Sequence, residues 1–253
     1  MTLKHRLGSS TLWMSLAATG TSAISFVIFI VLSRLLEPRD IGLVAFALIV
    51  VELGKIVVNA GMSQAIIQRR DWDNSFAATG FYLNFLFSLA VTAVVIFLLA
   101  PLIAAHYDPQ AEDIVKVLAV IFLLDGINAI HDGKLKREFS FRTVAIRTIL
   151  ASLASGVLGV YLALTGFGVW ALVAQQLCAQ VCITLVTQIS AHWWPGLRFS
   201  KAYAKELLGF STPLMLAQVI ANFASKIFEL LIGLVIGPAA LGFFRVGGRA
   251  LYI

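Results

Sequence analysis

Hydrophobic positions in this 253-residue chain are gathered into long runs, and the polar positions sit in short stretches between them. About 20 consecutive apolar residues carry a helix across a bilayer core. Read that way, the runs predict spans at 12–35, 41–67, 76–105, 114–131, 141–165, 168–192 and 207–236, with an eighth opening near 239. Strands of a membrane barrel would alternate apolar and polar residues over about ten positions, whereas these runs stay apolar for twenty residues or more. The expected fold class is therefore all-α, a polytopic transmembrane helix bundle. The first run follows Lys4, His5 and Arg6 and imitates a secretory signal. It continues to Leu36, too far for a signal's apolar segment, and is read as a retained span.

Composition agrees: 60% of residues are hydrophobic and 13% charged, against about 45–50% apolar in soluble domains. A net charge of +6 raises the question of nucleic acid, but such binding needs Lys and Arg clustered on a solvated face. Here they punctuate apolar runs, and no nucleic-acid partner is expected. Their distribution instead sets topology. The N-terminus and the stretches 68–75, 132–142 and 193–206 together hold eleven Lys and Arg, while the alternate connections hold Arg39 and little else. By the positive-inside rule the N-terminus is cytoplasmic in a multi-pass protein. Trp13, Trp193 and Trp194 fall near span ends on that side and are read as interfacial anchors. Cys178 and Cys182, four apart on one helix face, are read as a buried apolar pair rather than a metal or redox site.

An internal repeat adds organisation. Leu36-Glu37-Pro38-Arg39-Asp40-Ile41-Gly42 joins the first two spans, and Ile236-Gly237-Pro238-Ala239-Ala240-Leu241-Gly242 joins the seventh and eighth. Six spans separate the copies, and an even number implies parallel repeats about an axis along the membrane normal, as found among transporters. The expected domains are a six-helix lobe over 1–194, a cytoplasmic linker over 195–206 and the beginning of a second lobe over 207–253. The chain is expected to be an incomplete product, one lobe plus the start of another.

Ionisable groups inside spans cost about 2.5–3.5 kcal/mol on insertion scales and are presumed to face protein or water. The second span carries Glu52, Lys55, Asn59 and Ser63 on one helical stripe; the seventh carries Gln218, Asn222, Lys226 and Glu229 on another. Each stripe pairs an acid with a base three residues away. Two compatible readings stand: the pairs neutralise themselves on the helix surface, or the stripes line a central hydrophilic cavity. Arg245 and Arg249 lie on one face of the eighth run with no acid near in sequence, which makes them candidates for a pyrophosphate group; the alternative is pairing with acids of the remaining lobe, or snorkelling of Arg249. Arg34 and Arg147 are read as snorkelling, and Asp125 with Asn128 as part of the cavity. Ser15, Thr19, Thr21, Ser22 and Ser25 allow either close helix packing or a lined pore. His131 reads as an interfacial polar residue at a helix end. No Gly-rich phosphate loop, His-Glu-x-x-His or activated nucleophile is present, so neither an enzyme nor a cofactor or metal is expected. The candidate substrate-binding residues are Lys226, Arg245, Arg249, Gln218, Asn222, Lys55 and Asn59; Glu52, Glu229 and Asp125 are candidates for ion or proton coupling.

The segments 32–42, 65–71, 166–176 (Gly-Phe-Gly-Val-Trp-Ala-Leu-Val-Ala-Gln-Gln), 195–199 (Pro-Gly-Leu-Arg-Phe) and 236–242 resemble the bacterial polysaccharide biosynthesis exporters. These are the Wzx-like O-antigen, exopolysaccharide and teichuronic acid flippases of the multidrug/oligosaccharidyl-lipid/polysaccharide (MOP) superfamily. The resemblance implies two MATE-like six-helix lobes around a central cavity in the bacterial inner membrane. It implies transfer of an undecaprenyl-pyrophosphate-linked oligosaccharide to the outer leaflet, with membrane lipid and the pathway's glycosyltransferases or polymerase as partners. The alternatives are cation-coupled multidrug efflux and a non-transporting membrane scaffold or truncated remnant.

Overall fold

A computed structural model of the chain describes residues 3–59, 61–69 and 71–251, with the side chains of residues 3–12, 14, 16, 17 and 248–251 outside that description. The described residues form helices and no strand: α1 (Leu3–Leu35), α2 (Pro38–Asn59), a short α3 (Met62–Gln68), α4 (Asn74–His106), α5 (Pro109–Arg137), α6 (Phe141–Leu164), α7 (Val169–Ala191), α8 (Lys201–Ile236) and α9 (Pro238–Leu251). All but α3 and α9 contain a stretch long and apolar enough to cross a membrane, seven in total among the described residues.

Local chemistry sets the boundaries. The Asp73 carboxylate accepts from the Ser75 and Phe76 amides at 2.7 and 3.4 Å and caps α4, satisfying donors that the first turn leaves free. A hydrogen bond from the Tyr203 hydroxyl, together with these amides, holds the Asp73 carboxyl below the usual aspartate range. Asp108 caps α5 through the Gln110 amide at 2.9 Å, with Pro109 at the first helical position. Pro38 and Pro238 open α2 and α9 in the same way. Replacing Asp73 with alanine is expected to cost about 1 kcal/mol, the usual value of such a cap; a lower melting temperature in detergent, with Asp73→Asn milder, is the check.

The structure corrects the sequence reading in several places. The run 41–67 is not one helix: α2 stops at Asn59, Gly61 takes φ 74°, and α3 begins at Met62. Ser63 therefore leaves the stripe of Glu52, Lys55 and Asn59. The fourth span extends to Arg137 instead of ending at 131, so Asp132, Lys134 and Lys136 are helical. Helix α8 starts at Lys201, within the stretch expected as linker. Trp193 is no interfacial anchor; it is buried against Trp72 and donates to Asn74 Oδ1 at 3.1 Å. His131 is buried too, with Nε2 3.1 Å from the Trp193 carbonyl and Nδ1 3.0 Å from that of Ile127. These contacts fasten the stretch after α7 onto α4 and α5.

Helix α2 is the axis of the packing. Leu43, Val44, Ala47 and Val51 meet Val95 and Ala100 of α4, Ile114, Leu118 and Phe122 of α5, and Val169 and Val173 of α7 in one fully buried cluster. Helix α1 lies against α6, and α8 and α9 pack on α2. At one end, which we call the basic end, Arg69 reaches Glu206 at 3.3 Å and Lys134 reaches the Ala191 carbonyl at 2.6 Å. At the opposite end Arg39 joins Asp108 at 2.6 Å. There the two copies of the repeat meet. The Pro238 carbonyl of α9 fills the place where Gly42 would carry a side chain, and the Pro38 carbonyl of α2 does the same at Gly242. This reciprocal contact is what two parallel repeats about a pseudo-two-fold axis produce.

Candidate functional site

Two polar clusters interrupt the apolar interior. The first lies among α2, α5, α6 and α7. Asp125 of α5, 9% exposed, is its centre. Its Oδ1 accepts from Gln180 Nε2 at 2.9 Å, its Oδ2 from Asn59 Nδ2 at 3.1 Å, and Lys55 Nζ stands 3.6 Å from the same oxygen. Lys55 also donates to Gln180 Oε1 at 2.9 Å. A buried carboxylate is tolerable on these terms, with an opposite charge and amide donors around both oxygens. Two helical turns toward the basic end of α5, Asp132 pairs with Lys136 at 2.5 Å and with Arg147 of α6. Arg147 donates in addition to Thr187 Oγ1 of α7 at 2.5 Å. These groups, apart from Thr187 behind Arg147, line a cleft of about 380 Å³, to which Ser63 and Gln64 of α3, Asn128 of α5 and Gln218 of α8 also contribute.

The second cluster joins α2 to α8 and α9. Lys226 Nζ lies 3.1 Å from Glu52 and 3.3 Å from Glu229, and Glu229 Oε2 accepts from Arg245 at 2.5 and 2.8 Å. The result is an alternating chain of four charges across three helices.

Partners differ from those the spacing implied. Lys226 and Glu229 pair along α8 as expected, but Glu52 and Lys55 do not pair with one another. Glu52 turns to Lys226, and Lys55 turns to Asp125 and Gln180. Arg245, without a nearby acid in sequence, is held by Glu229 sixteen residues earlier. Arg147 does not snorkel; it is 7% exposed and bound to α5 and α7. Gln218 reaches the cleft, whereas Asn222 is exposed and donates back to the Gln218 carbonyl of its own helix. The side chain of Arg249 lies outside the described residues. Of the hydroxyls on α1, Thr21 and Ser25 line a smaller cleft of about 290 Å³ with Gln175, Gln176 and Arg245, while Ser15, Thr19 and Ser22 are exposed.

Gln180, Asp132, Lys136 and Thr187 were missed as site residues. One signal was present: Asp125, Asn128, Asp132 and Lys136 recur at three and four residues on one face of α5. Ending that span at 131 hid it.

The family described as polysaccharide biosynthesis protein matches residues 31–253. The chain belongs to this polysaccharide biosynthesis protein family. Its relatives include the succinoglycan biosynthesis transport protein ExoT of Rhizobium meliloti (strain 1021), 27% identical over 211 residues, 83% of this chain and 42% of the relative. The teichuronic acid biosynthesis protein TuaB of Bacillus subtilis (strain 168) is 25% identical, covering 99% of this chain and 52% of its own. The lipopolysaccharide biosynthesis protein WzxC of Escherichia coli (strain K12) is 21% identical, covering 97% and 50%. The chain thus spans about half the length of the curated relatives it matches. Its fold matches that of a multidrug resistance MATE family transporter of the MOP superfamily in an inward-facing conformation, with TM-score 0.61 and 18% identity over 95% of this chain and 60% of that one. The chain is therefore a multi-pass membrane protein with a MATE-like fold.

Proposed function

We propose that this protein moves an oligosaccharide linked to undecaprenyl pyrophosphate, a polysaccharide repeat unit, from the inner to the outer leaflet of the bacterial plasma membrane. The observation that carries the reading is the amide-lined cleft around Lys55, Asn59, Gln180 and Gln218, within the transporter fold of a polysaccharide biosynthesis protein. Amides and charges lining a helix bundle suit a hydroxylated headgroup, while the lipid tail stays in the bilayer. The excess of Lys and Arg at the basic end supports a cytoplasmic N-terminus and, with it, loading of substrate at the cleft's basic mouth. The pathway's glycosyltransferases or polymerase are the expected partners.

Asp125, Glu52 and Glu229 are the proposed coupling groups. Glu52 pairs with Lys226 between α2 and α8, so relative movement of the lobes about a fixed site would change its partner and, through Lys226, that of Glu229; Asp125 ties α5 to α2 within the first lobe. Lys226 and Arg245 belong to the same bridging chain. The likeness to a multidrug transporter favours a second reading, efflux of a cationic compound; the cations Lys55, Lys136 and Arg147 on the cleft wall oppose it.

Complementation of a flippase-deficient strain separates the readings when lipid-linked precursor is assayed in each leaflet. Restored outer-leaflet precursor is the expected outcome. Retention of precursor in the inner leaflet at normal protein abundance would overturn the transport reading, and export of a cationic dye without precursor movement would favour efflux.

A further inference from the structure

The cleft carries an uneven charge. Lys55, Lys136 and Arg147 on its wall are cations and Asp125 and Asp132 anions, one positive charge in excess. The Glu52–Lys226–Glu229–Arg245 chain, by contrast, closes on two of each. The excess lies at the basic end, where the single Asp132 carboxylate is shared by Arg147 and Lys136. Lys136 opens that end outward, with its side chain 41% exposed.

Hydrogen bonding in the same cleft is unmet. Arg147 Nε has no acceptor in the protein although the residue is 7% exposed; Asn128 Oδ1, in a residue 6% exposed, has no donor; Ser63 Oγ is likewise buried without a partner. Buried donors and acceptors are normally satisfied, and a charged donor left over is the costlier kind. The three unmet groups differ in what they require. An anion without a hydroxyl, such as sulfate, would serve Arg147 and leave Asn128 without a donor. A neutral sugar would serve Asn128 and Ser63 and leave the charge uncompensated. A phosphate attached to a sugar serves all three, since guanidinium pairs with phosphate oxygens while sugar hydroxyls both donate and accept. The volume of about 380 Å³ is many times the ~30 Å³ share of one water.

We propose that this cleft binds the sugar-phosphate junction of the substrate headgroup, with Arg147 and Lys136 taking phosphate oxygens and Asn128 and Ser63 the hydroxyls of the first sugar. The assignment rests on the reading of the protein as a carrier of lipid-linked oligosaccharide. It places the phosphate away from Lys226 and Arg245, whose charges Glu52 and Glu229 already neutralise. Asp132 is the internal competitor: its carboxylate holds both cations until phosphate replaces it, and reclaims them on release.

The test is thermal stabilisation of the purified full chain in detergent, titrated with glucose 1-phosphate, a short-chain prenyl pyrophosphate, inorganic phosphate and glucose. Stabilisation by glucose 1-phosphate at lower concentration than by phosphate or glucose is expected; stabilisation by the prenyl pyrophosphate alone would assign the same groups to the lipid-linked form. In either case Lys136→Gln and Arg147→Lys should raise the midpoint concentration at least tenfold, Asp132→Asn should lower it, and Arg142→Gln, an exposed cation at the same end, should leave it unchanged. Lys136 is partly exposed, so Lys136→Gln carries the test should Arg147→Lys fold poorly. No stabilisation by any probe, or wild-type midpoints in both cation variants, would overturn the site. The leaflet assay keeps the two ideas apart. Normal precursor export by Lys136→Gln and Arg147→Lys would remove the site and leave the transport reading. Probe binding that depends on Lys136, with no precursor movement in the unmodified protein, would remove the transport reading and leave the site.

Discussion

Replacing Gly42 with alanine is expected to push the ends of α2 and α9 apart by about 2 Å and to reduce precursor export at least tenfold. A Cβ on Gly42 would stand 1.6 Å from the Pro238 carbonyl oxygen and 2.5 Å from its carbon, where ordinary contact begins at 3.4 Å. The obstacle is backbone at a helix start, so no rotamer change relieves it. Overpacking of this kind typically costs 1–3 kcal/mol, and about 1.4 kcal/mol is tenfold in an equilibrium. Glycine at such a crossing lets helix backbones approach closely in a membrane and lets Cα–H groups face carbonyl oxygens. Because the contact is reciprocal, with a Cβ on Gly242 falling 1.9 Å from the Pro38 oxygen, Gly242→Ala should have the same effect. The double variant should be little worse than either single one, since helices already parted cannot clash again. Gly209→Ala, where nothing lies within 4 Å, is the control. Electron-spin distances between labels at Glu37 and Ala239, both exposed, measure the separation. An unchanged distance in Gly42→Ala would refute the account.

Asp125→Ala is expected to destabilise the protein by about 3–5 kcal/mol, the range for removing one partner from a buried ion pair. The loss is not one contact. Lys55, Asn59 and Gln180 all aim polar atoms at the two carboxylate oxygens, and without them a half-buried ammonium and two amides lose their shared acceptor. Lys55→Ala in the same chain should recover part of the loss by removing the uncompensated charge, and a double-mutant cycle on thermal unfolding in detergent would give the coupling. Glu52→Ala should cost less than about 1 kcal/mol, because the Glu52 side chain is 47% exposed and exposed pairs contribute little. Equal effects at Asp125 and Glu52 would contradict the burial argument.

Much of the architecture was legible in the chain. Twenty-residue apolar runs have few other fates, and the Pro–Gly repeat at 38–42 and 238–242 announced the symmetry that the Gly42 and Gly242 contact expresses. Candidate residues were legible one at a time: Lys55, Asn59, Asp125 and Gln218 do line the cleft. Their partners were not. Spacing offered Glu52 to Lys55, because only neighbours on the same helix are visible in sequence. The structure offers Lys55 a carboxylate 70 residues away and Glu52 an ammonium 174 residues away.

By itself the sequence determined which segments are helical and apolar enough to enter a membrane, and which end gathers the positive charge. These follow from free energies summed over each segment's own residues. Only the tertiary structure decided which charges are already neutralised, that Arg147 faces the cleft while Arg245 is held by Glu229, and that two glycines 200 residues apart share one contact. Those outcomes depend on the rotation and depth at which helices pack. Pairing energies between distant side chains exist only once that packing has brought them within a few ångströms.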